Sequence, residues 1–194
     1  ICSYMLISHA AERPSACRAA TKAFIVNALA DIGLTFGIIL TFLAFGTLDI
    51  QTILAQAEGM QSNTINILGW IGLDFYIDPL SLIPFFLFMG AMGKSAQLPF
   101  HVWLPLAMEA PSPVSALIHA ATMVNAGPFL LVRLSPLIIL SPSAMTFITI
   151  IGITTAIFAG MVSLTQSDIK KILAYSTISQ IGFMVMAGGL GAFA

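Results

Sequence analysis

The sequence predicts an all-α protein: a polytopic bundle of transmembrane helices, with about five full spans, one partial span and a broken helix after Lys94. Three observations carry this. Of the 194 residues, 58% are hydrophobic and only 8% charged, with a mean hydropathy of +0.99, outside the range of soluble globular and of disordered chains. The apolar residues gather into runs near the roughly 20 residues needed to cross hydrocarbon. Two ionisable groups, Lys94 and His119, lie inside such runs, with Pro99, Pro105, Pro111 and Pro113 between them.

Composition excludes several functions. The net charge is −1, and neither a basic patch nor an aromatic-basic module is present, so nucleic acid is not an expected partner. Cys2 and Cys17 fit neither a metal nor a disulfide spacing. No cysteine, histidine or glycine spacing offers a metal, iron–sulfur, flavin or dinucleotide site, so no catalytic, metal-ligating or cofactor-binding residue is expected in this chain.

Taken in order, residues 1–8 are too short to span and form the tail of a helix. The chain opens on Ile1 without the charged start and cleavage site of a signal peptide, and reads as an internal segment of a longer protein. Glu12, Arg13, Arg18 and Lys22 predict a short charged loop. Residues 23–46 predict a span with one acid, Asp31. Asn27 and Thr35 lie four residues either side of it, giving a polar stripe on an apolar helix. A carboxylate at that depth is a functional candidate, the alternative being an acid that only bonds a neighbouring helix. Gly33 and Gly37 supply a spacing that lets another helix approach closely.

Residues 47–78 carry Asp49, Glu58 and Asp74 and an apolar piece, 65–73, below spanning length; they predict an extramembrane loop with an interfacial segment. Residues 79–97 predict a span interrupted after Lys94. An ammonium near mid-bilayer costs roughly 2.5–3.5 kcal/mol on insertion scales, and Pro99 and Pro105 remove backbone donors directly after it. Broken backbone at membrane depth is tolerated only against protein or a wet cavity. Lysine plus helix break therefore points to an ion path. Residues 98–108 form the second half or a re-entrant piece, with His101 and Trp103 near an interface or the break.

Residues 114–132 predict another span. Ser115, His119 and Thr122 fall on one face, which suits a proton relay at His119, although a lone histidine is also often merely hydrogen-bonded. Residues 141–165 hold no charge and predict a packing helix. The last span, about 172–194, opens with Asp168, Lys170 and Lys171 and carries Ser176, Ser179 and Gln180 on one side. Lys171 is placed to snorkel to the headgroups, and Lys170 either joins it or belongs to the path. If each span crosses once, Arg13, Arg18, Lys22, Lys170 and Lys171, five of the seven basic residues, share one face with Glu109, the side that the positive-inside rule assigns to the cytoplasm or matrix.

Several long stretches carry a resemblance. The segment GAMGKSAQLPFHVWLPLAMEAPSPVSALIHAATMV (90–124), with CSYMLIS, ERPSACRAATKAFIVN and FGTLD before it and TQSDIKKILAYSTISQIGFM after it, resembles the antiporter-like membrane subunits of respiratory complex I, the proton-pumping NADH:quinone oxidoreductase, and most of all the large distal one. The resemblance covers most of the chain except about 50–75. It implies a multi-pass protein of a bacterial cytoplasmic or mitochondrial inner membrane, partnered by lipid and other membrane subunits, with NADH, FMN, iron–sulfur clusters and quinone on partner subunits. It further implies a proton-path role for Lys94, relay at His119, a supporting acid at Asp31 and a continuing link at Lys170, with pumping driven by quinone reduction elsewhere.

The chain departs from the family pattern in places. An NRVGD-like motif becomes Asn27, Ala28, Leu29, Ala30, Asp31; an acid becomes Leu106; and TAGVY becomes Asn125, Ala126, Gly127, Pro128, Phe129. Two further readings therefore stand beside the first. One is the large subunit of a multisubunit cation/proton antiporter or of a related hydrogenase or inorganic-carbon uptake system, which shares the KSAQ and SA-x-x-H-x-ATMV type signature. The other is a membrane scaffold whose polar residues only pack helices.

Overall fold

The computed structural model describes residues 2–9, 12–57, 59, 65–66, 76–77, 79–118 and 122–192. These form an all-α bundle, interrupted by one two-residue antiparallel pairing of Ile65–Asn66 with Tyr76–Ile77.

Helix α1 is Cys2–Ile7, and α2 runs Pro14–Phe45. The expected charged loop is shorter than predicted, because α2 begins before Arg18 and Lys22. Pro14 stands at its start, where the missing N–H is no loss and the ring pre-sets the helical φ, and the run of alanines that follows favours the helix. At 32 residues α2 is about 48 Å long, so its basic first turns extend beyond a hydrocarbon layer of about 30 Å. It ends at Gly46, whose φ of 68° lets its N–H reach Phe42 O at 2.8 Å. The buried side of α2 is made of small residues, Ala16, Ala20, Ala23, Ala30, Gly33 and Gly37. Its large residues, including Phe24, Leu29, Ile32, Phe36 and Leu43, are exposed. That is the pattern of a helix packed through its small face with lipid on the other.

Helix α3, Ile50–Ala57, follows Asp49, whose Oδ2 accepts from the Thr52 N–H at 3.2 Å and the Thr52 hydroxyl at 2.5 Å. These bonds, the hydroxyl's first, hold the Asp49 carboxyl below the usual carboxylate range. Glu58 and Asp74 lie outside the described residues.

Helix α4, Pro79–Lys94, has 16 residues, about 24 Å, and stops at Lys94 as expected. After it the chain turns through Ala96, at φ 49°, and continues in short pieces: a 3-10 turn at Phe100–Val102, α5 at Trp103–Leu106, a second 3-10 turn at Ala107–Glu109 and α6 at Ser112–Ala116. The continuous span expected over 114–132 does not form. The helix widens at 117–118, the Thr122 N–H reaches back five residues to Leu117 O at 3.2 Å, and residues 122–125 are bends and turns. A new helix, α7, Ala126–Arg133, then starts; Pro128 is accommodated in its first turn, where it would have broken a helix running through. Helix α8 is Ser135–Ile139.

Helices α9, Pro142–Thr165, and α10, Ile169–Gly189, form an antiparallel pair. Gly152 packs on Met186 and Gly182, and Gly189 on Thr149, too tightly for a Cβ at either position. The Asp168 side chain accepts from the Lys170 N–H at 3.1 Å and caps α10, so Lys170 and Lys171 fall in its first turn rather than before it. Among the described residues three helices, α2, α9 and α10, are long and apolar enough to cross a membrane on their own, against about five expected. The core gathers around Phe88, Trp103, Leu104, Ile148 and Ile178.

Candidate functional site

Two sequence features bring Lys94 to Asp31. On α2, Ala30, Gly33 and Gly37 present almost no side chain; on α4, Gly90 and Gly93 do the same. A Cβ built on Gly93 would lie 2.2 Å from Ala30 Cβ, and one on Gly37 2.9 Å from the Leu87 backbone nitrogen. At this close crossing Lys94, the last residue of α4, reaches Asp31, and Nζ donates to Oδ2 at 2.8 Å. The side chains are 31% and 45% exposed, so the ion pair is open on one side. Asn27, one turn before Asp31, is buried and donates through Nδ2 to Ala23 O at 2.9 Å. Thr35, one turn after, turns its hydroxyl back to Asp31 O at 2.8 Å. Of the polar stripe, only Asn27 and Asp31 line the cavity that contains Lys94.

The break beside the pair is closed by side chains. Trp103 Nε1 donates to Gly93 O at 3.0 Å, Ser95 Oγ to Val124 O at 2.9 Å, Gln97 Nε2 to Ser95 O at 3.0 Å, and Thr155 Oγ1 receives the Leu98 N–H at 3.1 Å. Trp103 is fully buried and lies in the break, the second of the two places expected for it: a carbonyl freed inside an apolar bundle needs a donor, and the indole supplies one. Sequence reasoning passed over Ser95, Gln97 and Thr155 altogether. Their signal was the need to satisfy broken backbone, which spacing does not encode. His101 sits in the break, its ring edge-on to Phe158 at 5.1 Å. Pro99 caps the first 3-10 turn, and Pro105 lies inside the four-residue α5.

Lys170 stands apart from this pair. It is exposed, and lines both a groove of about 410 Å³ with Ser115, Ser176, Thr177 and Gln180, and an adjoining basin with His9, Glu12, Arg13 and Glu109. Ser15 Oγ donates to Glu109 Oε2 at 3.3 Å across it. Arg13, Glu109 and Lys170 do therefore share one face. His119 lies outside the described residues. Among those residues no three His, Cys, Asp or Glu side chains converge as a metal site.

All of residues 1–194 match the family described as NADH:quinone oxidoreductase/Mrp antiporter, TM. The chain belongs to this family. Its similarity to NADH-ubiquinone oxidoreductase chain 5 of Dictyostelium citrinum is 47% identity over 98% of the chain and 28% of the relative. To NADH-quinone oxidoreductase subunit L of Rhodobacter capsulatus it is 47% over all of the chain and 26% of the relative, and to that of Rickettsia felis 50%, over all of the chain and 29% of the relative. The chain thus spans less than a third of the curated relatives it matches. Among solved structures, the Mrp complex from Dietzia superposes with a TM-score of 0.81 at 34% identity, covering 98% of this chain and 19% of that one. Like other members of the NADH:quinone oxidoreductase/Mrp antiporter family, it is an integral membrane protein, and relatives occur in bacteria and as mitochondrial-type chains.

Proposed function

We propose that this chain is part of a proton-translocating membrane subunit of NADH:quinone oxidoreductase, complex I, and belongs through that complex to an enzyme, a translocase, whose redox groups (NADH, FMN, iron–sulfur clusters and quinone) lie on partner subunits. The observation that carries this reading is the 2.8 Å Lys94–Asp31 pair at the end of a broken helix, in a chain about half identical to such subunits. Residues 1–194 act as a single transmembrane unit, with 47–78 outside or at the membrane surface. Other membrane subunits and lipid surround it.

The chemistry follows from the pair. An ammonium beside a carboxylate keeps its proton; separated from it in a low dielectric, the ammonium is uncompensated and loss of the proton is favoured. A partner that moves under the influence of quinone reduction elsewhere therefore loads and unloads Lys94. His119 relays the proton and Lys170, over the polar row of its groove, continues the path. Lysines in the first turn of a helix oppose its dipole, and a local rule broken in this way is a mark of function.

The test is Lys94→Ala in the full-length subunit, with assembly confirmed. Proton pumping and the quinone reduction coupled to it are expected to fall together. A second reading, a multisubunit cation/proton antiporter subunit, is favoured by the likeness to the Dietzia Mrp complex. Untouched quinone reduction, with loss of a sodium- or potassium-dependent proton exchange, would replace the first reading by the second.

A further inference from the structure

The cavity beside the ion pair contains two oxygen acceptors that no protein donor reaches. It measures about 80 Å³ and is lined by Tyr4, Asn27, Asp31, Lys94 and Trp103 among others. Asn27 is 7% exposed. Its Nδ2 is committed to Ala23 O, and that carbonyl fixes which end of the amide is left over: Oδ1, buried and without a hydrogen-bond partner. Asp31 gives Oδ2 to Lys94, and its Oδ1 is likewise buried and unpartnered. The two residues are four apart on α2, so they stand one above the other on one face. Buried acceptors without donors are costly, and Lys94 Nζ bonds neither of these two oxygens. A water needs roughly 10–15 Å³ of such space and two to four polar partners; the cavity meets both conditions.

We propose that Asn27 Oδ1 and Asp31 Oδ1 together hold bound water at Lys94, and that Asn27 is the positioning residue of this water. The water has two O–H groups for the two acceptors and keeps a lone pair for the ammonium. When the pair separates, the water takes a proton from Nζ and gives one of its own to Asp31 Oδ1: one Nζ–H bond breaks and one carboxyl O–H bond forms, ammonium becomes amine, carboxylate becomes carboxylic acid, and the water is regenerated. Asn27 is neutral at every pH of interest, so it holds the water without competing for the proton. This inference rests on the proton-translocation reading of Lys94.

The experiment uses the full-length subunit in its assembled complex, with Asn27→Leu, which keeps the volume and removes the acceptor, Asn27→Gln, which restores a neutral acceptor, and Lys94→Ala beside them. Asn27→Leu is expected to slow pumping about tenfold, the cost of one hydrogen bond near a charge, and to displace the pH profile of pumping; Asn27→Gln recovers much of the rate. Should Asn27→Leu fail to assemble, a density map of the wild-type complex at a resolution that shows internal waters decides: a water within hydrogen-bonding distance of both oxygens supports the site, and an empty cavity overturns it. Pumping by assembled Asn27→Leu at the wild-type rate and pH profile, with Lys94→Ala inactive, overturns the water site alone. Pumping by Lys94→Ala at the wild-type rate overturns the proton reading beneath it.

Discussion

At the scale of single residues, the polar side chains around Lys94 serve two tasks, holding its ion pair and closing the break beside it. Trp103 belongs to the second. Trp103→Phe keeps most of the buried ring but leaves Gly93 O without its donor, and is expected to destabilise the protein by about 1–3 kcal/mol; thermal unfolding in detergent measures it, and an unchanged midpoint would show that the bond is not needed. That Lys94 and Asp31 are costly groups in apolar runs was legible in the sequence; that they pair was not, because it depends on the close crossing of α2 and α4. Nor was the role of Trp103. An indole is at ease both at a membrane surface and inside a bundle when its N–H is met, and only the folded path of residues 94–103 shows that Gly93 O meets it.

At the scale of elements, α2 and α4 touch through glycine and alanine, so small changes in size matter most there. Gly93→Ala places a methyl against Ala30 and is expected to push the helices apart, cost about 1–3 kcal/mol and break the Lys94–Asp31 contact. Adding Ala30→Gly should recover stability; a double variant as unstable as Gly93→Ala would locate the clash elsewhere. The pH response of α3 has a definite sign. The Asp49 carboxyl sits below its ordinary range, so its contribution to the start of α3 is full above that range and is lost as pH falls through the depressed value. Hydrogen exchange at the Thr52 amide reads this, and protection that persists through strong acid would refute it. The GxxxG spacing at Gly33 and Gly37 announced a close crossing correctly. The break before α7 went unread because 114–132 is predominantly apolar, and hydropathy does not distinguish one long helix from two short ones. The early start of α2 was hidden by its charges, which pointed to a loop although long basic stems lie comfortably along a helix that leaves the membrane.

At the scale of the whole molecule, fold class and membrane location followed from composition and the length of the apolar runs, whereas the places where helices break did not, since hydropathy does not register them. The arrangement of α2, small residues inward and large ones outward, bears on how the protein tolerates change. In a water-soluble domain the bulkiest apolar side chains are the guarded ones and the periphery is free to vary. Here that hierarchy is turned round: Leu29 or Leu43 can be exchanged for any greasy neighbour at little cost, while the positions with no side chain to speak of, such as Gly33 and Ala30, admit nothing larger.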